Sequence, residues 1–74
     1  MEKKFVDKVN YMIAVISDFA TTHSLTNAQS YRYLNRYKGL DFVDKHYETN
    51  HTLPLEDVIA DLTTYCQRQG GALV

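Results

Sequence analysis

The chain has 74 residues, which is enough for one domain spanning residues 1–74 and too few for two. Its composition, 45% apolar and 23% charged, is ordinary for a folded protein and excludes a disordered chain. The net charge of −1 disfavours a general nucleic-acid binder, although residues 1–38 hold six Lys and Arg against three Asp and Glu, and residues 39–74 hold two against six.

The first predicted element is the longest, a helix from about residue 3 to residue 21. Its apolar side chains recur at steps of three and four, which places them on one broad face of an α-helix. These positions are Phe5, Val6, Val9, Met12, Ile13, Ile16, Phe19 and Ala20. Because a face this wide must be covered, we expect Ile13 and Ile16 to be buried. The uninterrupted apolar run at residues 11–16 is too short for a signal peptide or a membrane span.

A second helix is predicted from residue 27 to residue 38. Thr26 lies three residues before Gln29, which is the spacing of a capping box. In a capping box the side chain of each of the two residues accepts a hydrogen bond from the backbone amide of the other. Its predicted core-facing positions are Ala28, Tyr31, Leu34 and Tyr37. Gly39 follows, and we expect it to take the left-handed conformation that ends many helices.

The exposed side of this second helix combines arginine with tyrosine. Arg32 and Arg36 lie one turn apart, with Tyr33 and Tyr37 beside them. Tyr and Arg are enriched at protein interfaces, so this patch predicts contact with another protein or with a second copy of the chain. The alternative is that the phenol rings cover the edge of the core and keep their hydroxyls in water.

A third, short helix is predicted over residues 41–49, and with the second helix it gives the order helix, tight turn, helix. In a DNA-binding unit of this kind the later helix enters the major groove, where three carboxylates against one lysine would be repelled by phosphates. The acidic residues are Asp41, Asp44 and Glu48. Nucleic acid is therefore disfavoured as a partner, and a small DNA-associated regulator that uses the basic side of the second helix stays as the alternative.

His46, Glu48 and His51 are the one cluster that suggests a metal ion. Zinc-binding helices place two His four residues apart, whereas these two are five apart and cross a predicted helix end. We therefore predict capping and packing roles, with His51 next to Thr52 bonding the first amides of the last helix. No metal, no cofactor and no catalytic group is predicted, and the chain is expected not to be an enzyme.

The last helix is predicted from residue 54 to residue 69. Pro54 suits a first helical turn, and Gly70 and Gly71 stop the helix. Its apolar stripe is Leu55, Val58, Ile59, Leu62, Tyr65 and Cys66. Cys66, the single cysteine, is therefore predicted to be a buried, inert thiol. One cysteine also excludes an internal disulfide and fits a reducing compartment, so the cytoplasm is the expected location, with no membrane association.

Several short motifs lie in the stretch LDFVDKHYETNHTLPLEDVIADL behind the apolar first helix. They are Asp41-Phe42, Tyr47-Glu48, His51-Thr52, Asp57-Val58 and Asp61-Leu62. With these motifs the chain resembles a bacterial family of short helical proteins, domain of unknown function 3791, over nearly its whole length. The resemblance implies a small helical domain in which the motif residues are structural, and it implies no activity or cofactor. Because such proteins have gene neighbours that look like ADP-ribosyltransferases, it also implies an accessory or antitoxin-like binding role.

The sequence therefore predicts an all-α bundle of three main helices and one short helix, with the first and last helices side by side. The predicted function is a non-enzymatic protein–protein interaction module.

Overall fold

The computed structural model describes residues 3–71, and it describes side chains from residue 7 onward. The chain folds into five helices: α1 (Lys3–Thr22), α2 (Asn27–Arg36), α3 (Gly39–Lys45), α4 (Tyr47–Asn50) and α5 (Leu55–Arg68). No strand occurs within residues 3–71, and the predicted all-α class is confirmed. The described part of the chain measures 38 × 22 × 20 Å, and α1 supplies most of the long dimension, since its 20 residues extend about 30 Å.

The turn between α1 and α2 is held by local hydrogen bonds. Ser24 takes a left-handed φ of 56°, and the Leu25 amide then donates back to the Ala20 carbonyl at 2.8 Å, which ends α1. The predicted capping box at the start of α2 is confirmed. The Gln29 amide donates to the Thr26 hydroxyl at 3.1 Å, and the Thr26 amide donates to the Gln29 side chain at 2.9 Å.

The core is a single cluster to which α1, α2, α3 and α5 all contribute. Its buried members are Val15, Phe19, Leu34, Val43, Val58, Ile59, Leu62 and Cys66. The first helix packs against α5 as predicted, but its contact with α2 is more extensive. Ser30 of α2 is fully buried, and its hydroxyl donates to the Ile16 carbonyl at 2.8 Å, which brings the two backbones close together.

The predicted buried face of the first helix is partly wrong. Ile13 is 58% exposed, Val9 is 40% exposed and Ile16 is half-buried. Phe19 and Ala20 are buried as predicted, and Val15, which was not among the predicted positions, is fully buried. The neighbouring helices lie against the side of α1 that carries Val15 and Phe19, so the apolar arc is covered along one edge and left open along the other. The predicted core positions Phe5 and Val6 lie outside the side chains that the structure describes.

The predicted buried face of the second helix is also partly wrong. Leu34 is fully buried as predicted, and so is Ser30, which was not predicted, whereas Tyr31 is 50% exposed and Ala28 is exposed. The helix ends at Arg36 instead of residue 38, because Lys38 takes a left-handed φ of 61°.

Gly39 is therefore not the left-handed residue, and the prediction of that role is wrong. It is the buried first residue of α3, in the contact between α2 and α5. A Cβ atom there would lie 2.7 Å from Leu34 Cδ2, 2.9 Å from Cys66 Sγ and 3.2 Å from Leu62 Cδ1. Glycine is needed at this position because three core side chains occupy the space of a side chain.

The third predicted helix, residues 41–49, is two short helices. It breaks at His46, whose φ of −102° is not helical and whose carbonyl accepts from the Asn50 amide at 2.8 Å to start α4. The final helix begins at Leu55, with Pro54 as its N-cap instead of its first residue. Its predicted end is confirmed: Gly70 has a φ of 95°, and the Gly71 amide donates to the Cys66 carbonyl at 3.0 Å.

Candidate interaction site

The structure places the four residues of the predicted contact patch at the C-terminal end of α2, with Arg32, Tyr33 and Arg36 in the helix and Tyr37 as its C-cap. We call this surface, formed by Arg32, Tyr33, Arg36 and Tyr37, the basic–aromatic face. Both arginines are exposed, and the Arg36 guanidinium carbon lies 5.5 Å from the centre of the Tyr37 ring. Residues 7–71 supply no ion pair to either arginine. The face therefore presents two exposed guanidinium groups, the kind of group that binds carboxylates through paired hydrogen bonds.

The two tyrosines of this face are anchored on their inner side. The Tyr33 ring stacks on Phe19, with centroids 5.5 Å apart, and packs against Tyr37 at 4.9 Å. The Tyr33 hydroxyl donates to the Gly71 carbonyl at 2.7 Å. Burial, and then the neighbouring Cys66 and Tyr37, raise the pKa of the Tyr33 phenol above its usual 10.0. Tyr33 is thus half-buried and bonded within the chain, whereas the sequence placed it on the exposed side of this helix with Arg32 and Arg36.

The family-like residues of the middle segment have structural contacts. Tyr47 is buried, and its ring meets that of Tyr11 edge-on with centroids 5.3 Å apart. His51 stacks on Tyr47 at 4.9 Å, and its Nδ1 bonds the Tyr47 carbonyl at 2.8 Å. The prediction that His51 bonds the first amides of the last helix is therefore wrong, because its partner is the helix before it. The Thr52 hydroxyl donates to the Thr49 carbonyl at 3.4 Å.

The remaining family-like residues are acidic and lie on the surface. Glu48, Asp57 and Asp61 are exposed, and Asp57 lies in the first turn of α5, where a carboxylate interacts favourably with the helix dipole. Within residues 3–71 no three His, Cys, Asp or Glu side chains are grouped as a metal site would require. His46 packs instead on Phe42, with ring centroids 4.7 Å apart.

Cys66 is fully buried in the core, as predicted. Burial raises the pKa of its thiol from 9.0 to about 11, so the reactive thiolate is scarce at neutral pH. The thiol lies beneath the aromatic rings of the basic–aromatic face and contributes to the packing of the core.

A groove that the sequence did not predict lies between α1 and α5. Its volume is about 520 Å³, and its lining residues are Asp18, Thr22, Glu56, Ile59, Ala60 and Thr63. His23 lies next to the groove, since its Nε2 bonds the hydroxyl of the lining residue Thr63 at 2.9 Å. Ile59 and Ala60 give the groove apolar lining, and Asp18 and Glu56 give it two carboxylates. Each lining residue is ordinary for a helix surface, and only the packing of the two helices brings them together.

The helix that would enter the major groove in a helix–turn–helix unit, α3, is short and acidic. Its seven residues, Gly39–Lys45, carry Asp41 and Asp44 against Lys45, and Asp44 pairs with Lys8 of α1. Lys8 also lies over the Tyr47 ring, 5.7 Å from its centre.

Among the helices of residues 3–71, none has both the length and the apolar content that crossing a membrane requires.

These features define a small all-α domain whose polar side chains serve packing and capping and whose outer faces present a basic–aromatic surface. Comparison with known proteins identifies the family of this domain. The family described as "Protein of unknown function (DUF3791)" matches residues 10–69, and the chain belongs to that family. No curated protein and no solved structure matches the chain significantly.

Proposed function

We propose that this chain is a non-enzymatic binding module that contacts another protein through the basic–aromatic face of α2. The observation that supports the proposal is the pair of exposed arginines, Arg32 and Arg36, set beside aromatic rings that are anchored from within. A partner with an acidic surface fits this face, since guanidinium groups bind carboxylates through paired hydrogen bonds.

Rigidity of the tyrosines favours a contact role over a purely solvent-facing one. Tyr33 is fixed by its bond to the Gly71 carbonyl and by stacking on Phe19, so little side-chain freedom remains to be lost on binding. Tyr37 holds Arg36 near its ring in the same way. Preorganised aromatic and arginine side chains are the residues that dominate the energy of most protein interfaces.

The proposal extends to the biological setting. We propose an accessory or antitoxin-like role toward the product of a neighbouring gene, in a bacterial cytoplasm. The single buried thiol is consistent with a reducing compartment. Because the recognition is electrostatic, the complex should associate more slowly and bind more weakly as ionic strength rises.

The experiment is co-expression of the chain with the product of the adjacent gene, followed by purification through a tag on that product. We expect the wild-type chain to co-purify and the Arg32→Glu, Arg36→Glu double variant to be lost. The matched control is Lys45→Glu, which reverses an exposed charge on α3, away from the basic–aromatic face. Thermal melts of all three chains check that the exposed substitutions leave the fold intact.

Two results would contradict the proposal. One is a wild-type chain that fails to co-purify at low salt, and the other is a double variant that co-purifies as well as the Lys45→Glu control. A shift assay with duplex DNA at low salt serves as the comparison with the alternative function. If the wild-type chain retards DNA and the double variant does not, Arg32 and Arg36 bind DNA phosphates instead of a protein partner.

A further inference from the structure

The groove between α1 and α5 is a second surface, separate from the basic–aromatic face. The two helices that form it run in the same direction. Near the start of α1, the Tyr11 hydroxyl donates to the carbonyl of Asn50, which precedes α5, and near its end His23 bonds Thr63 of α5. Both helices therefore bring their earlier lining residues to one end of the groove and their later ones to the other.

The two ends of the groove differ in chemistry. Asp18 of α1 and Glu56 of α5 place two carboxylates at the earlier end. An apolar stretch and then two hydroxyls follow along the groove, supplied by Ile59, Ala60, Thr22 and Thr63. A ligand that complements this order has a cationic head on an apolar stem.

The charges around the groove favour the same kind of ligand. All its lining residues belong to the stretches 9–31 and 46–67, which together hold five Asp and Glu and no Lys or Arg. Residues 7–71 supply no ion pair to Asp18 or Glu56. A cation that enters the groove thus meets two carboxylates and no basic neighbour that would repel it.

The basic residues at the start of the chain lie away from the groove. Lys3 begins α1, about 22 Å along the helix before Asp18. Lys8 pairs with Asp44 of α3. Residues 72–74 include no basic side chain. The cation that complements the two carboxylates therefore comes from another molecule.

We propose that the groove binds an arginine side chain presented by a segment of a partner protein. A guanidinium group has five donors in one plane, so it can bond both carboxylates at once, while its carbon stem packs on Ile59 and Ala60. A lysine ammonium is more strongly hydrated and offers no such planar fork.

The shape of the groove favours a side chain of a partner over a free small molecule. Its volume of about 520 Å³ lies within the range of about 300–1,000 Å³ found for ligand pockets. Thr22, Glu56 and Ala60 are exposed, however, so the groove is open along its outer side. Pockets for small molecules enclose about 70–90% of the ligand, whereas an open groove admits a side chain whose backbone stays outside.

This binding site does not depend on the proposed function. It uses carboxylates of α1 and α5, whereas the proposed function uses Arg32 and Arg36 of α2. Variants of one surface leave the other unchanged, so the two proposals can fail independently.

The first test is titration of the ¹⁵N-labelled chain with the capped peptide Ala-Leu-Arg-Leu-Ala, followed by nuclear magnetic resonance. We expect the amide signals of Thr22, Ala60 and Thr63 to shift, with a dissociation constant on the order of 1 mM. The matched control peptide carries citrulline in place of arginine, which keeps the shape and removes the charge. It should bind at least about fivefold more weakly, because two ion pairs are lost.

The second test removes the carboxylates of the groove. The Asp18→Asn, Glu56→Gln double variant should bind the arginine peptide at least about fivefold more weakly than the wild-type chain. The matched control is Asp41→Asn, Asp61→Asn, which changes the net charge by the same amount at exposed positions outside the groove lining and should bind as the wild type does. Thermal melts check that both double variants are folded.

Four results would overturn the proposal. The first is an arginine peptide that shifts no groove amide or binds no better than the citrulline peptide. The second is equal weakening by the two double variants, which would mean attraction to the overall charge alone. The third is butylguanidinium that binds as tightly as the peptide, which would mean a small-molecule site. The fourth is the same set of shifts when the chain alone is concentrated to about 1 mM, which would assign the groove to a second copy.

Discussion

Replacing Gly39 by alanine tests the packing at the centre of the fold. The new Cβ would lie 2.7 Å from Leu34 Cδ2 and 2.9 Å from Cys66 Sγ, closer than carbon and sulfur atoms can approach. Both side chains are fully buried, so they cannot move into solvent. Overpacking of this kind costs about 1–3 kcal/mol, and the higher helix propensity of alanine offsets about 0.5–1 kcal/mol of it. We expect a net loss of about 1–2 kcal/mol in the free energy of unfolding.

The assay is thermal unfolding followed by circular dichroism, where this loss corresponds to a decrease in Tm of about 5–15 °C for a chain of this size. The double variant Leu34→Val, Gly39→Ala provides the internal control. Because Leu34 supplies the nearest atom, shortening it should make the added methyl less costly than it is in the wild-type background. An unchanged or higher Tm for Gly39→Ala alone would refute the reasoning, since it would mean that the core has room for a side chain at this position.

Three further predictions concern the cap, the tyrosine anchor and the thiol. Thr26→Ala removes the hydroxyl that accepts from the Gln29 amide and should lower the free energy of unfolding in denaturant by about 1 kcal/mol. Thr64→Ala, at an exposed position of α5, should lower it less. Tyr33→Phe removes the bond to the Gly71 carbonyl and should also lower the free energy of unfolding by about 1 kcal/mol while leaving the circular dichroism spectrum unchanged. An unchanged free energy of unfolding would mean that water bonds the Gly71 carbonyl equally well in the variant. The Cys66 thiol has a pKa of about 11 in the folded chain against 9.0 when unfolded, so on raising the pH the unfolded chain releases its proton first. Its contribution to stability is complete below pH 9 and should decline as the pH rises toward about 11, and unfolding of a Cys66→Ala variant should lack that part of the pH dependence.

Features that depend on neighbouring residues could be predicted from the sequence. The capping box at Thr26, the acidic first turn and basic last turn of α5 and the left-handed Gly70 are set by interactions within a few residues. The same holds for the extent of α1, which the spacing of its apolar residues predicts to within one residue. Burial of Cys66 was also predictable, because the apolar residues of α5 lie on a single narrow face of the helix.

Features that depend on which helix covers which face could not be predicted in this way. The apolar arc of α1 is wider than one neighbour can cover, so its spacing alone did not distinguish the buried Val15 from the exposed Ile13. Gly39 is similar, since glycine suits both a left-handed turn and a crowded contact, and only the positions of Leu34 and Cys66 decide between them. At the candidate site, Arg36 and Tyr37 are direct neighbours in the sequence, whereas the bond from Tyr33 to Gly71 joins residues 38 positions apart.

The contact between Tyr33 and Gly71 determines where labels can be attached. A bulky label attached at Gly71 would lie against Tyr33 and Tyr37 and would shield the basic–aromatic face from a binding partner. A dye coupled at Leu53, in the exposed turn before α5, would leave the basic–aromatic face accessible. Immobilisation through that turn is therefore the sound geometry for any biosensor measurement on this protein.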